Sequence, residues 1–247
     1  MVFRNYRIEI EYDGCDFQGW QRQKKSSNTI QEELENAISK LLKEEIKITG
    51  AGRTDAGVHA IEQIANFKTS KTIKDHFKFL YSLNSLISDK ITVNNLTVAP
   101  EDFHSRYSAK SREYTYQITT RRMSLYNKYY FKLNYELDFK IIDDFIKILT
   151  GYKSFKSLCK NREDKHDFKC NLMDLKYDVN NRNGTILFKI RSDRYLHSMV
   201  RAIIGCLIDL GRNRLDYNDT VSKFYKGEKI RATYLPSNAL FLNKINY

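Results

Sequence analysis

Proline is almost missing from this chain, with two residues in 247. No stretch rich in proline and glycine separates one half from the other, so nothing reads as a flexible linker. Cysteine is also sparse. Cys15, Cys159, Cys170 and Cys206 are scattered with no Cys-x-x-Cys pair, which excludes a disulfide framework or a familiar zinc module. Cys159, His166 and Cys170 are the one set that invites a metal, but their spacing matches no ligand pattern, and no metal is expected. The longest apolar region, Met199 to Leu210, is broken by Arg201 and Asp209 and is too short to cross a bilayer. The first six residues run straight into charged alternation without an apolar signal core, so the expected location is the cytoplasm. Several enzyme templates are absent as well. Without a P-loop or G-x-G-x-x-G no nucleotide cofactor is expected, and neither G-x-S-x-G nor H-E-x-x-H occurs.

What is present is a globular composition, 41% hydrophobic with 13% aromatic residues, carrying a net charge of +12. The charge is unevenly placed. Residues 1–103 hold 14 basic and 15 acidic groups, whereas residues 104–247 hold 28 and 15. A basic half beside a neutral one suits a polyanion such as RNA lying against one lobe, although a lysine-rich solvated surface gives the same count.

Tyr6 to Tyr12 alternates apolar and charged residues, as a strand with one wet face does. Thr29-Ile30-Gln31-Glu32 is a capping box opening a helix with Ile30, Leu34, Ile38, Leu41 and Leu42 as its stripe. Ile46 and Ile48 mark a short strand, and a third strand spans about Ile61 to Phe67. Thr72 is the expected cap of a second helix with Ile73, Phe77, Leu80 and Leu83 inward, and a strand follows from Ile91 to Val98. This order, β-α-β-β-α-β, is expected again in the second half. There, strands lie at Arg112–Thr119, Met173–Val179 and Ile186–Ile190, with Asn183-Gly184 turning the hairpin. Helices are expected from Asp138 to Leu149, from Leu196 to Leu210 and near Val221–Tyr225, with a last strand around Leu240 to Ile245. The expected fold is therefore α+β: two ferredoxin-like lobes, residues 1–103 and 104–247, with mainly antiparallel sheets meeting at a central cleft.

The stretch Gly50 to Ala60 stands out between the second and third strands. Three glycines fall within eight residues, and Arg53 and Asp55, two positions apart, share a side if the segment is extended. On spacing alone the plainer reading is a turn in which Asp55 bonds its own backbone. Tyr114 sits on an alternating strand face with Tyr116 and Ile118, where core filling is the simplest role. His197, Arg201 and Gly205 would form one stripe on the strongest helix. An arginine on so apolar a helix either meets a carboxylate or snorkels to solvent. Asp13 to Gln23 mixes Phe17 and Trp20 with Arg22 and amides, suited to nucleotides, while Trp20 equally suits a core anchor. Lys24 and Lys25 extend that edge toward phosphates.

Taken together, these runs resemble the TruA family of tRNA pseudouridine synthases. The resemblance lies in Gly52-Arg53-Thr54-Asp55-Ala56-Gly57-Val58-His59-Ala60 and in Tyr12 to Gln23. It continues through Thr29-Ile30-Gln31, Phe103 to Arg106, Ser108 to Tyr116, Met199-Val200-Arg201 and Ala239-Leu240-Phe241-Leu242. It implies the pseudouridine synthase fold, a homodimer, no metal or cofactor, and action on uridines at positions 38 to 40 of the tRNA anticodon arm. Carried over, Asp55 is the catalytic aspartate and Arg53 assists base flipping. Tyr114 packs on the target base, and Arg201 pairs with the aspartate. The full substrate-binding set expected is Tyr114, Leu240, Trp20, Arg22, Lys24, His59 and His197. Three places depart from the family: Gly151 to Phe155, Ala239, and the stretch Arg121 to Tyr135, which shows no clear match. A tRNA-binding chaperone without turnover is the alternative of another class, but binding alone does not require the carboxylate.

Overall fold

The computed structural model describes residues 3–23, 28–160 and 167–247. Lys24 and His166 therefore lie outside the described residues. The fold is α+β, and the chain divides into two compact units, Met1–Lys110 with Phe241–Tyr247, and Ser111–Leu240.

The first unit opens with β1 (Arg4–Tyr12), α1 (Ile30–Leu42), β2 (Ile48–Gly50), β3 (His59–Thr69), α2 (His76–Asn84) and β4 (Ile91–Ala99). β1 is central, antiparallel to β3 on one side and to β4 on the other. Its alternation buries Tyr6, Ile8, Ile10 and Tyr12, and Tyr6 stacks on Phe67 of β3 at 5.7 Å. The cap of α1 follows the sequence signal: the Thr29 side chain accepts from the Glu32 N–H at 3.3 Å. Ile30, Leu34 and Ile38 are buried beneath it.

The second helix departs from the sequence reading. Asp75, not Thr72, is its cap, accepting from the Lys78 N–H at 2.9 Å. Starting α2 later turns its face: Leu83 is buried, Ile73 is buried ahead of the helix, and Phe77 is 83% exposed. An aspartate one residue before the first turn competed better for the orphan N–H groups than a threonine three residues earlier.

The second unit contains β5 (Ser111–Thr119), β6 (Phe131–Lys132), α3 (Phe139–Leu149), β7 (Gly151–Ser154), β8 (Lys169–Asn180), β9 (Thr185–Ser192), α4 (Met199–Gly211) and α5 (Tyr217–Lys226). Its strands run in the order β5-β9-β8-β7, all antiparallel, with β6 parallel to the end of β5. Asp138 caps α3 through the Lys140 and Ile141 N–H groups. Every residue of α4 is buried except Arg201. The one acid in that helix, Asp209, is satisfied by Arg212 at 2.7 Å, Arg214 at 3.1 Å and the Thr233 N–H at 2.7 Å.

The expected order β-α-β-β-α-β recurs as β5-α3-β8-β9-α4 and the closing strand, β10 (Leu240–Asn246), with α5 as the added helix, and β6 and β7 are short strands that the sequence did not announce. Two further corrections concern this half. β10 pairs in parallel with β3 through Phe241–His59 and Leu242–Ala60, so from Phe241 onward it belongs to the first unit. The helix expected from Leu196 starts only at Met199, because Ser198 sits at φ 55. His197 thus precedes the helix and shares no helical stripe with Arg201.

Candidate active site

The Asp55 loop occupies a split in a sheet edge. β3 is paired with β1 along one side. Its other side is shared: β2 covers Ala65 to Phe67, and β10 covers His59 and Ala60. Residues 51–58 leave the sheet between these two partners. The departure is anchored where the Ala51 N–H donates to the Ile64 carbonyl at 2.8 Å and Gln63 Nε2 donates to the Gly52 carbonyl at 3.0 Å.

Within the loop, burial alternates. Thr54 is buried, Asp55 is half-buried and Arg53 is exposed. The Thr54 hydroxyl lies 2.8 Å from the Tyr12 hydroxyl at the end of β1, and the Thr54 carbonyl accepts the Trp20 N–H at 3.1 Å. With Thr54 held inward from both sides, Arg53 and Asp55 are directed away from the core, as an extended tripeptide requires. The Val58 N–H then closes the turn on the Asp55 carbonyl at 3.2 Å, with Gly57 at φ 78. The Asp55 main chain thus bonds within its own turn, and its carboxylate is presented by a turn that neighbouring backbone fixes.

That backbone is the segment 13–20, and two glycines let it come so close. A Cβ on Gly14 would lie 2.0 Å from the Val58 carbonyl oxygen. One on Gly19, at φ 91, would lie 2.6 Å from the Thr54 carbonyl oxygen. Burial pushes the Tyr12 phenol up to about 12, although hydrogen bonds from Thr54 and Gln63 oppose the shift. The Tyr12–Thr54 contact is accordingly a neutral hydrogen bond at ordinary pH.

Several expected substrate contacts have structural positions instead. Trp20 is 2% exposed and lies against Tyr12 and Gly50, so it anchors the core rather than offering an open stacking face. The exposed Arg22 directs its guanidinium to Glu32 at 3.3 Å and Glu35 at 3.2 Å, tying the loop to α1. His59 is 1% exposed, stacks on Phe241 at 4.5 Å and faces Asp13 Oδ1 and the Gly14 N–H, each 3.1 Å from its Nδ1.

Among the described residues, Asp13, Cys15 and His59 form the single group with metal-ligand character, their donor atoms lying within 4.8 Å of one another. The carboxylate approaches Nδ1 of the ring, while the thiol lies 3.9 Å from Nε2. Cys159 and Cys170 are both buried, and burial raises the Cys170 thiol to about 12.

In the second unit Tyr114 stands opposite Ile190 on β9, 7% exposed, with Tyr195 edge-on at 5.1 Å. Tyr195 is itself fixed by donating to the Ile190 carbonyl at 2.9 Å. Arg201 donates to the Leu235 carbonyl at 3.3 Å and to the Ser198 hydroxyl at 3.1 Å. Neighbouring Tyr116 is held protonated by burial and donates to the Pro236 carbonyl at 3.0 Å. His197 is exposed, and Leu240 is buried where β10 begins. Each unit thus presents its own set: Asp55 and Arg53 in the first, Tyr114 and Arg201 in the second. From the sequence, Tyr12 ends the first strand and Gly14 turns the chain after it, with no contact to the Asp55 loop expected of either. Their supporting role depends on contacts more than 40 residues apart in the chain.

Comparison with known proteins gives this arrangement a setting. Among solved structures, a chain from a Cbf5–Nop10–Gar1 complex is similar over 82% of this chain and 45% of that one, at 11% identity and a TM-score of 0.39. The assignment therefore rests on sequence. The chain is 39% identical to a tRNA pseudouridine synthase A of Chlorobium limicola over 211 residues, covering 85% of this chain and 86% of that protein. It is 35% identical to the protein of the same name from Parabacteroides distasonis, covering 99% and 96%. A family model described as tRNA pseudouridine synthase matches residues 9–108 and 145–247, which contain Arg53, Asp55 and Arg201 but not Tyr114. This chain belongs to the tRNA pseudouridine synthase family.

Proposed function

We propose that this protein is an isomerase that converts uridine to pseudouridine in tRNA, with Asp55 as its catalytic carboxylate. The observation that carries the reading is the Asp55 loop: a half-buried carboxylate on a turn fixed by Tyr12, Trp20, Gly14 and Gly19, in a chain of this family. The reaction breaks the bond between C1′ and N1, turns the uracil and joins C5 to C1′. Substrate and product contain the same atoms in the same oxidation state, so one positioned carboxylate is sufficient. It can attack C1′ or C6, or accept the proton of C2′, and each route needs the ionised form close to the nucleotide.

The base must first leave its stack, which costs a few kcal/mol. Arg53, exposed and two residues from Asp55, is suited to filling the vacated space. We assign Tyr114 to the face of the flipped uracil and Arg201 to the Asp55 carboxylate. The substrate positions proposed are 38 to 40 of the anticodon arm, the working form a homodimer and the location the cytoplasm. Incubating unmodified tRNA with the protein and mapping pseudouridine by carbodiimide-dependent primer extension tests this, with Asp55→Ala as control. Product at other positions would retain the isomerase and change its target. Binding of tRNA without any product would overturn the enzymatic reading in favour of a chaperone.

A further inference from the structure

The second unit holds a cavity of about 300 Å³ lined by Thr119, Arg121, Arg122, Met123, Asn127, Tyr130 and Lys132. It is built by backbone pairing. β6 runs parallel to the end of β5, setting Lys132 beside Thr119, and the Leu133 N–H donates to the Thr119 carbonyl at 2.8 Å. The Thr119 hydroxyl donates to the Arg121 carbonyl at 3.1 Å, which fixes the turn that carries both arginines. A short turn of 3-10 helix, Asn127–Tyr129, forms part of the wall after Tyr126 at φ 61.

The lining contains three cations and no carboxylate. Among the described residues, Arg121, Arg122 and Lys132 enter no ion pair, so no carboxylate offsets their charge at the cavity. Like charges gathered without neutralisation repel one another, and a bound anion relieves that repulsion. Guanidinium groups offer paired N–H donors to phosphate oxygens, and an ammonium adds a point charge. The cavity lies within residues 109–144, an internal stretch that the family model leaves unmatched.

We propose that this cavity is a phosphate-binding subsite that grips the phosphodiester backbone of the tRNA away from the reacting nucleotide. It rests on the RNA-modifying reading above. The test is tRNA binding by the full-length protein between 50 and 200 mM KCl, comparing wild type with the triple variant Arg121→Gln, Arg122→Gln, Lys132→Gln. If the cavity neutralises one or two phosphates, removing its cations makes the plot of log K against log salt shallower by about 1 to 2. Affinity at the middle of the range should fall about tenfold and KM should rise, with kcat within about twofold. The single variant Lys132→Gln, expected to reduce the slope by part of that amount, keeps the test open if the triple variant fails to fold.

A control variant, Lys68→Gln, Lys74→Gln, Lys78→Gln, removes the same charge from the first unit. An equal change of slope there would make the effect one of net charge and overturn the proposal. Unchanged affinity and slope in the cavity variant would overturn it directly. Inorganic phosphate that binds the cavity without weakening tRNA would make it a site for free phosphate and overturn the RNA assignment. Failure of the wild type to bind tRNA would instead remove the functional reading on which the inference stands.

Discussion

Residues 50–60 and residues 119–132 are both irregular stretches attached to strands, yet they are held by different means. In the first, backbone lies on backbone: Gly14 and Gly19 approach Val58 and Thr54 more closely than any side chain permits, and Thr54 is hydrogen-bonded from two directions. In the second, a two-residue strand and a threonine hydroxyl fix the path, and the functional groups are exposed cations. The difference follows from the chemistry each can do. A reacting carboxylate must be placed to within a fraction of an ångström, because near-attack geometry carries much of the rate. A phosphate contact acts over longer distance and tolerates side-chain adjustment. Close packing therefore suits the loop that presents Asp55, and loose, charged structure suits the stretch around Arg121.

The largest effect that would sharpen this contrast comes from Asp55→Ala. Activity should fall by about 10⁴-fold or more in single-turnover assays, while tRNA affinity stays within about threefold. A large loss of affinity would place Asp55 in binding rather than reaction. Next is Gly19→Ala, which forces the chain off the Thr54 carbonyl. We expect kcat to drop about 10²-fold with KM little changed, together with a loss of about 1–3 kcal/mol in denaturant unfolding. Retained kcat would show that the loop does not depend on this contact.

A third effect is in stability alone. The unfolded Tyr12 ionises around pH 10, whereas the folded one keeps its proton to about 12. Below pH 10 both states are protonated and the full stability is present. As pH rises from 10 to 12 the unfolded state gains, and Tyr12 takes away about 3 kcal/mol. The unfolding free energy across that window should fall with pH more steeply in the wild type than in Tyr12→Phe; equal slopes would mean the phenol is not part of the buried support. The smallest effect is expected from Tyr114→Phe, which keeps the ring that would cover the base, so kcat/KM should change by less than about threefold. A larger loss would assign a role to the hydroxyl and bring Tyr114 closer to the reacting group than stacking requires.

Much of the first unit was legible because its signals are local. The alternation of Tyr6 to Tyr12 marks β1, and Thr29 marks the start of α1. The Arg-x-Asp spacing placed Arg53 and Asp55 together, which the burial of Thr54 explains. Other features were not legible. β6 and β7, of two and four residues, are too short to show a period. A helix beginning at Thr72 would have turned Phe77 inward, whereas capping by Asp75 leaves it in solvent. Trp20 and Arg22 have the composition of a nucleotide-binding loop, but packing on Gly50 and pairing with Glu32 and Glu35 decide where they are used.

The sequence by itself determined the strands and helices with clear periodicity, the charge difference between the halves, the family, and the identity of Asp55 as the residue to test. These depend on residue type and near neighbours, which the chain carries in order. Only the tertiary structure decided that β10 crosses back to β3, that Tyr12, Gly14 and Gly19 support the loop, and that Arg121, Arg122 and Lys132 surround one cavity. Each of these joins residues distant in the chain or turns on how a short, aperiodic segment folds back, and neither composition nor period encodes which surfaces meet when the core closes.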